Sequence, residues 1–348
     1  MKTATSGTLF AAALLAGGAG LVAAGFDGPA AGTEAHAAVQ ERAPVDIREW
    51  KVPWPDTRPR DPYVRDRSRV WFVGQRGNYL AYLEPESGDF RRYDLDPGTG
   101  PHNLIVDSEG TVWYAGNRAA HIGRLNPSDS SITKIPMPNE RARDPHTMVF
   151  DDAGDIWFTV QGGNFVGRLD RSSGDVRLVQ VPTERARPYG IKLSDSGRPW
   201  IALLGTNKLA TVDPETFELA EYELPREDAN PRRLGIHSDG SVWYVDYSQG
   251  YLGRFDPEAE EFTEWRVPSG ADARPYGMAM DDRDRVWFVE TGTSPNRFVG
   301  FDPASEEFFS VTDIPSGGGT VRHMYYLAPE DEIWFGADTN TIGRAVVP

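Results

Sequence analysis

Tryptophan recurs along this chain at a nearly constant interval. Trp71, Trp113, Trp157, Trp200, Trp243, Trp287 and Trp334 stand 42, 44, 43, 43, 44 and 47 residues apart. Each lies in a short apolar run, VWFV, VWYA, IWFT, PWIA, VWYV, VWFV and IWFG in chain order. Alternating β-branched and aromatic residues, punctuated by Gly, Asn and Asp, read as strands joined by tight turns. No unit carries a helical period over a useful length. A fixed period of this size, with about four short strands per unit, is the signature of a β-propeller. The expected fold is therefore all-β: a seven-bladed β-propeller of four-stranded antiparallel blades.

The units share a grammar. An inner strand follows a proline step, at Pro62-Tyr63, Pro101-His102, Pro145-His146, Pro188-Tyr189, Pro231-Arg232 and Pro275-Tyr276, and without proline at Val321-Arg322-His323. The tryptophan strand is second. The third carries an apolar residue followed by Gly-Arg, as in Ile122-Gly123-Arg124, Val166-Gly167-Arg168, Leu252-Gly253-Arg254 and Ile342-Gly343-Arg344. The repeated tryptophans are expected to pack between blades, because large aromatics carry most of such burial. The Gly-Arg pairs are expected to serve turns and inter-blade hydrogen bonds. The last unit stops after its third strand, whereas residues 47–53, IREWKVP, resemble the outer strand of later units. An N-terminal strand should therefore close the ring, which leaves no large unpaired edge.

The propeller accounts for residues 47–348, and residues 38–46 form a short polar lead. Residues 1–37 read as a secretory signal: Lys2, an apolar stretch from Leu9 to Val22, and a small-x-small cleavage site at Ala35-His36-Ala37. The mature chain is expected to be exported, periplasmic or extracellular, monomeric and without a transmembrane segment. The sequence contains no Cys, so packing alone must stabilise it. With 52 acidic against 36 basic residues and a net charge of −16, the surface argues against a nucleic-acid partner.

In a repeat fold, chemistry belongs where units differ at an equivalent position. Inner strands line the central channel, and the residues after their prolines ring one mouth of it. These are Tyr63, His102, His146, Tyr189, Arg232, Tyr276 and Arg322, with His323 beside the last. Such a ring supplies proton-transfer groups, anion partners and stacking faces together; it would equally serve as a polar lining that satisfies itself. Two histidines in consecutive units should face a common space, and Asp144 is expected to hold the His146 imidazole in one tautomer. The sequence reading therefore places catalysis on His102, His146, Asp144 and His323, and substrate contacts on Tyr63, Tyr189, Arg232, Tyr276 and Arg322.

The recurring units, Pro-His or Pro-Tyr, then an acidic turn with Gly, Ile/Val-Trp-Phe, Gly-Arg and a closing Leu/Val-Pro, resemble the virginiamycin B lyase (streptogramin B lyase) family over residues 47–348. That resemblance implies an enzyme that opens a cyclic depsipeptide antibiotic by elimination at its ester, without water, using Mg2+. It further implies paired Pro-His steps in blades six and seven, where this chain has Pro275-Tyr276 and Arg322-His323. Asp338 falls where the family keeps a carboxylate. The adjacent Pro-His pair occurs instead in blades two and three, with Gln161 at the corresponding metal-carboxylate position. The expected ligand is a small molecule or cyclic peptide at the channel mouth. A binding module of the cell envelope without catalysis and a lactonase-like hydrolase are the competing readings.

Overall fold

The computed structural model describes residues 44–348, together with the backbone of Glu34–Ala35. The signal-peptide reading of residues 1–37 and its cleavage site lie outside the described residues. Seven antiparallel sheets follow one another, six built of four successive strands from the channel outward and the seventh of three successive strands with an N-terminal strand added. Blade one, for example, runs Pro59–Asp66, Arg69–Gly74, Tyr79–Glu84 and Asp89–Asp94. The two-residue strand Glu34–Ala35 adds in parallel to the outer strand Glu261–Arg266 of blade five. Each inner strand lies beside the next, and that of blade seven, Val321–Leu327, lies beside that of blade one. The ring is closed. Among the described residues no helix is long and apolar enough to cross a membrane.

The core sits between blades. All seven repeat tryptophans are buried. Trp157 packs with Ile191, Ile201 and Val212 of the following blade, and Trp243 with Met278, Phe288 and Phe301 of the next. Several indole N–H groups are satisfied locally: Trp113 donates to Asp107 at 3.0 Å and Trp287 to Asp281 at 2.8 Å.

The Gly-Arg pairs do not serve turns. They lie in mid-strand, opposite the aromatic that follows each tryptophan. A Cβ on Gly123 would come 2.0 Å from the Tyr114 ring, and one on Gly253 2.1 Å from the Tyr244 ring. Glycine is needed because an aromatic side chain lies flat over the backbone at that position. The neighbouring arginines turn to the other face, where Arg124 and Arg168 sit over Trp113 and Trp157 at 5.7 and 5.8 Å.

The N-terminal strand closes blade seven as the sequence implies. Asp46–Lys51 pairs antiparallel with Thr341–Val346, Asp46 opposite Val346 and Lys51 opposite Thr341. Trp50 stacks on Trp334 at 5.5 Å. The Asn340 amide donates to the carbonyls of Val52 and Trp54 and accepts from the Thr57 N–H. One side chain thus fastens three points of the incoming chain.

Candidate functional site at the channel mouth

In six blades the inner strand opens with proline, and its pairing with the second strand is interrupted directly after that residue in five of them and one residue later in blade one. Pro101 faces Gly116, Pro145 faces Val160 and Pro188 faces Leu203, and regular pairing resumes three residues on. Such a bulge re-aims the two residues inside it. In blade one the residue in this register is Pro59, which faces Gly74. The sequence reading chose Pro62, and that alignment is corrected here. Trp71 follows Pro59 by 12 residues, just as Trp113 follows Pro101 and Trp157 follows Pro145, whereas Pro62 gives 9. That spacing was the available signal.

The first residues after these prolines, and Arg322 after Val321, form the upper tier of the channel: Arg60, His102, His146, Tyr189, Arg232, Tyr276 and Arg322. The second residues form a middle tier that includes Asp61, Asn103, Thr147, Arg233 and His323. Tyr63 belongs to neither. It pairs with Trp71 in the register that Tyr325 holds with Trp334, one step deeper. Tyr63 and Tyr325 meet there, with ring centres 4.7 Å apart.

The upper tier is packed shut. The His102 and His146 rings lie 3.4 Å apart, and His146 lies 4.1 Å from Tyr189. The Tyr189 and Tyr276 hydroxyls share a short hydrogen bond. Arg232 covers Tyr247 at 3.4 Å and Tyr276 at 4.5 Å. Arg60, His102 and His146 are 3%, 5% and 1% exposed. Each nevertheless keeps a buried polar atom without a partner: Nη2 of Arg60, Nδ1 of His102 and Nε2 of His146.

The middle tier ties opposite blades together. Asp61 accepts from Arg60 Nε at 2.8 Å and Asn103 Nδ2 at 3.1 Å. Arg233 reaches Asp61 at 3.4 Å, Thr147 Oγ1 at 3.1 Å and the Arg322 carbonyl at 2.9 Å. These residues set the electrostatics. Burial and the guanidinium groups of Arg60 and Arg233 push both His102 and His146 well below the usual histidine value, so both are neutral near pH 7. Burial takes His323 down to about 3. Asp61 is also desolvated, but Arg60 and Arg233 hold its carboxyl well below the usual range. Within the tyrosine pair, burial alone would raise Tyr189, yet Arg60 and Arg233 bring it below its ordinary value. Burial and Tyr189 itself push Tyr276 up.

The remaining expected residues are engaged elsewhere. Asp144 meets neither imidazole. Its carboxylate accepts the Gly162 and Gly163 N–H groups, the latter at 3.0 Å, and so ties the turn after Ile156–Val160 to the start of the same blade. The His146 Nδ1 partner is Thr147 Oγ1 at 2.9 Å. Arg322 and Asp338 form a two-pronged ion pair at the rim, with one contact of 2.7 Å, and Arg58 stands 3.5 Å from the same carboxylate. His323 lies in the tier below, half-buried, with Nδ1 unpartnered. Gln161 sits half-buried in its turn.

Mg2+ takes hard oxygen ligands, mainly carboxylates and water. Here Asp338 is neutralised by arginine, Gln161 offers no charge, and Asp61 is held between two guanidinium groups. Among the described residues no three His, Asp or Glu side chains converge as a metal site. The side chains of the mouth in this arrangement fit an anion and do not fit a divalent cation.

The virginiamycin B lyase family profile matches residues 45–345. The chain belongs to that family. Virginiamycin B lyase from Staphylococcus aureus superposes with a TM-score of 0.78 at 23% identity, covering 87% of this chain and all of that one. A catalytically inactive His-to-Ala variant of the Staphylococcus aureus enzyme, in a structure with quinupristin, gives 0.77 at 23% identity, over 87% and 100%. A streptogramin B lyase structure gives 0.76 at 23%, over 86% and 97%. No curated protein sequence matches the chain. At this identity the superpositions speak for the shared propeller. In this member of the virginiamycin B lyase family the upper tier carries imidazoles in blades two and three, and tyrosine and arginine in blades six and seven.

Proposed function

We propose that this chain is a carbon–oxygen lyase that opens an ester in a cyclic depsipeptide or related lactone by elimination at the upper tier of the channel. A neutral imidazole, His146 or His102, takes the proton from the carbon next to the one that bears the ester oxygen. The electron pair released forms the new carbon–carbon double bond. The C–O bond breaks, and its electron pair leaves with the carboxylate. Arg60, Arg232 and Arg322 balance the charge that develops, and Tyr189, which Arg60 and Arg233 bring below its ordinary value against the effect of burial, supplies a proton to the departing group. The observation that carries this reading is the pair of neutral imidazoles, each with an unpartnered ring nitrogen, set among guanidinium groups. Family membership supports the reaction class.

A second reading is a propeller of the cell envelope that binds such a ligand without turning it over. The burial of both imidazoles favours it, because a macrocycle must displace packed side chains to reach them. One experiment separates the two readings. The purified chain is incubated with a cyclic depsipeptide of the quinupristin type in 18O-labelled water and the products are weighed. Elimination gives a ring-opened product of unchanged mass and no label, whereas hydrolysis adds one labelled oxygen. Binding without any product supports the second reading. His102→Gln and His146→Gln should each abolish the unlabelled product. If both keep full activity and His323→Gln loses it, the base lies in blade seven instead.

A further inference from the structure

Below the middle tier the channel widens into a cavity of about 250 Å³. Its upper wall is polar, with Asn103, Thr147, Arg233 and His323, and its lower wall is apolar, with Ile105, Val149, Ile191 and Met278. Lys192, Tyr63 and Tyr325 stand level with Ile105 and Val149, each opposite the tryptophan of its own blade. The cavity runs past them to Phe150, at the far end of the inner strands from the closed upper tier. The carboxylate count is what matters. Among the described residues none of Asp or Glu lines this space, while Arg233 and Lys192 both do. Arg233 has Asp61 at 3.4 Å, but Arg60 shares that carboxylate. Lys192 has no hydrogen-bond or ion-pair partner among the described residues, and Arg233 is the one charged group that acts on it.

The cluster of Arg60, Arg233 and Lys192 against Asp61, its two arginines buried and its lysine half-buried, therefore carries an excess of positive charge, with its histidines neutral. Uncompensated cations in such a place are costly, and charged groups removed from water are normally paired. In a chain of net charge −16 this is a local inversion. A further cation, Arg65, lies close enough to influence both Tyr63 and Tyr325.

We propose that this cavity is a second binding site, separate from the upper tier, for a small organic monocarboxylate with a compact apolar body. The carboxylate seats between Lys192 and Arg233 and accepts from Asn103, Thr147 or a Tyr hydroxyl. The body lies on the aliphatic wall beside Tyr63 and Tyr325. The volume, slightly under that of ordinary small-molecule sites, selects against anything much larger than a single substituted ring.

Benzoate and its neutral counterpart benzamide are the probes, read by calorimetric titration and by thermal melting of the full chain. Benzoate should bind saturably and raise the melting temperature, and benzamide should do neither. Lys192→Met should weaken benzoate by about tenfold or more. Its unliganded form should melt at or above the parent, because an unpaired cation has been removed. Lys192→Gln should show the same loss of affinity. Equal binding of benzamide, unchanged affinity in either Lys192 variant, or no saturable binding up to about 10 mM benzoate overturns the proposal. Loss of benzoate binding in His102→Gln, to the same degree, also overturns it, because it makes the two sites one.

Discussion

Asp61 and Arg233 meet across the channel at 3.4 Å, although one belongs to blade one and the other to blade five. Asp61 is fully buried, Arg233 is 3% exposed, and Arg60 holds the second oxygen of the same carboxylate. Removing one partner of a buried pair leaves the other charge uncompensated, a loss of about 3–5 kcal/mol. Asp61→Asn should therefore lower unfolding free energy by that order in urea melts. A change under about 1 kcal/mol would mean that water already screens the pair.

These residues show what the sequence disclosed and what it hid. The tryptophan period carried the fold and the blade number, because every blade must solve the same packing problem with the same residue, and the likeness of residues 47–53 to later outer strands carried the closing strand. His102, His146, Tyr189 and Tyr276 were legible as a ring for a related reason: they differ at a position that the repeat makes comparable. Arg60 and Asp61 were missed because two prolines stand three residues apart and only the spacing to Trp71 tells them apart. Arg233 was missed because a bulge turns two consecutive residues toward the channel, which strict alternation along a strand does not allow; Lys192 was missed because it lies beyond the bulge of its strand, opposite Trp200, where other blades carry apolar residues such as Ile105 and Val149. Asp144 was assigned to an imidazole because it is near in sequence; its carboxylate is instead drawn to two unpaired backbone N–H groups of a glycine turn.

Acid should destabilise this propeller through its channel histidines. His323 titrates at about 3 in the folded chain against 6.5 for an unperturbed histidine. Between those values the unfolded chain binds a proton that the folded one does not, so stability falls as pH drops through the window. At pH 5 the cost from His323 alone is about 2 kcal/mol relative to pH 8. His102 and His146 act in the same direction. Urea melts at the two pH values should show a smaller difference in His323→Gln than in the parent. Equal differences would place the charge of His323 in water.

Trp157 has no exposed surface and sits in the seam between blades three and four. Trp157→Ala should cost about 3–5 kcal/mol, as large aromatic truncations in cores do. A loss below about 0.5 kcal/mol would refute its place in that seam.

Gly253→Ala tests the close approach of aromatic to backbone. The added methyl would meet the ring of Tyr244, which cannot swing aside because it is buried and its hydroxyl donates to Glu264 at 2.7 Å. Overpacking of this kind costs about 1–3 kcal/mol. Gly240→Ala makes a useful contrast: a Cβ there meets nothing within 4 Å, and the penalty comes from its φ of +86° alone.

Deleting residues 46–51 removes the outer strand of blade seven and the stacking of Trp50 on Trp334. The truncated chain should lose its single cooperative melt and become sensitive to protease in blade seven first. A sharp melt at the parent temperature would show that six pairs of strand residues contribute nothing to the ring.

The same strand sets an order of events. Just after it, the Thr57 N–H donates to the side-chain oxygen of Asn340, 283 positions later in the chain. Contacts between such remote segments form late, because the loop-closing entropy must be met before they return anything. Asp46–Lys51 is among the first segments of the propeller to be synthesised and the last to find its partner, so until Thr341–Val346 is made the young chain carries an open strand edge at its start. The ring becomes a ring only once Thr341–Val346 has been made.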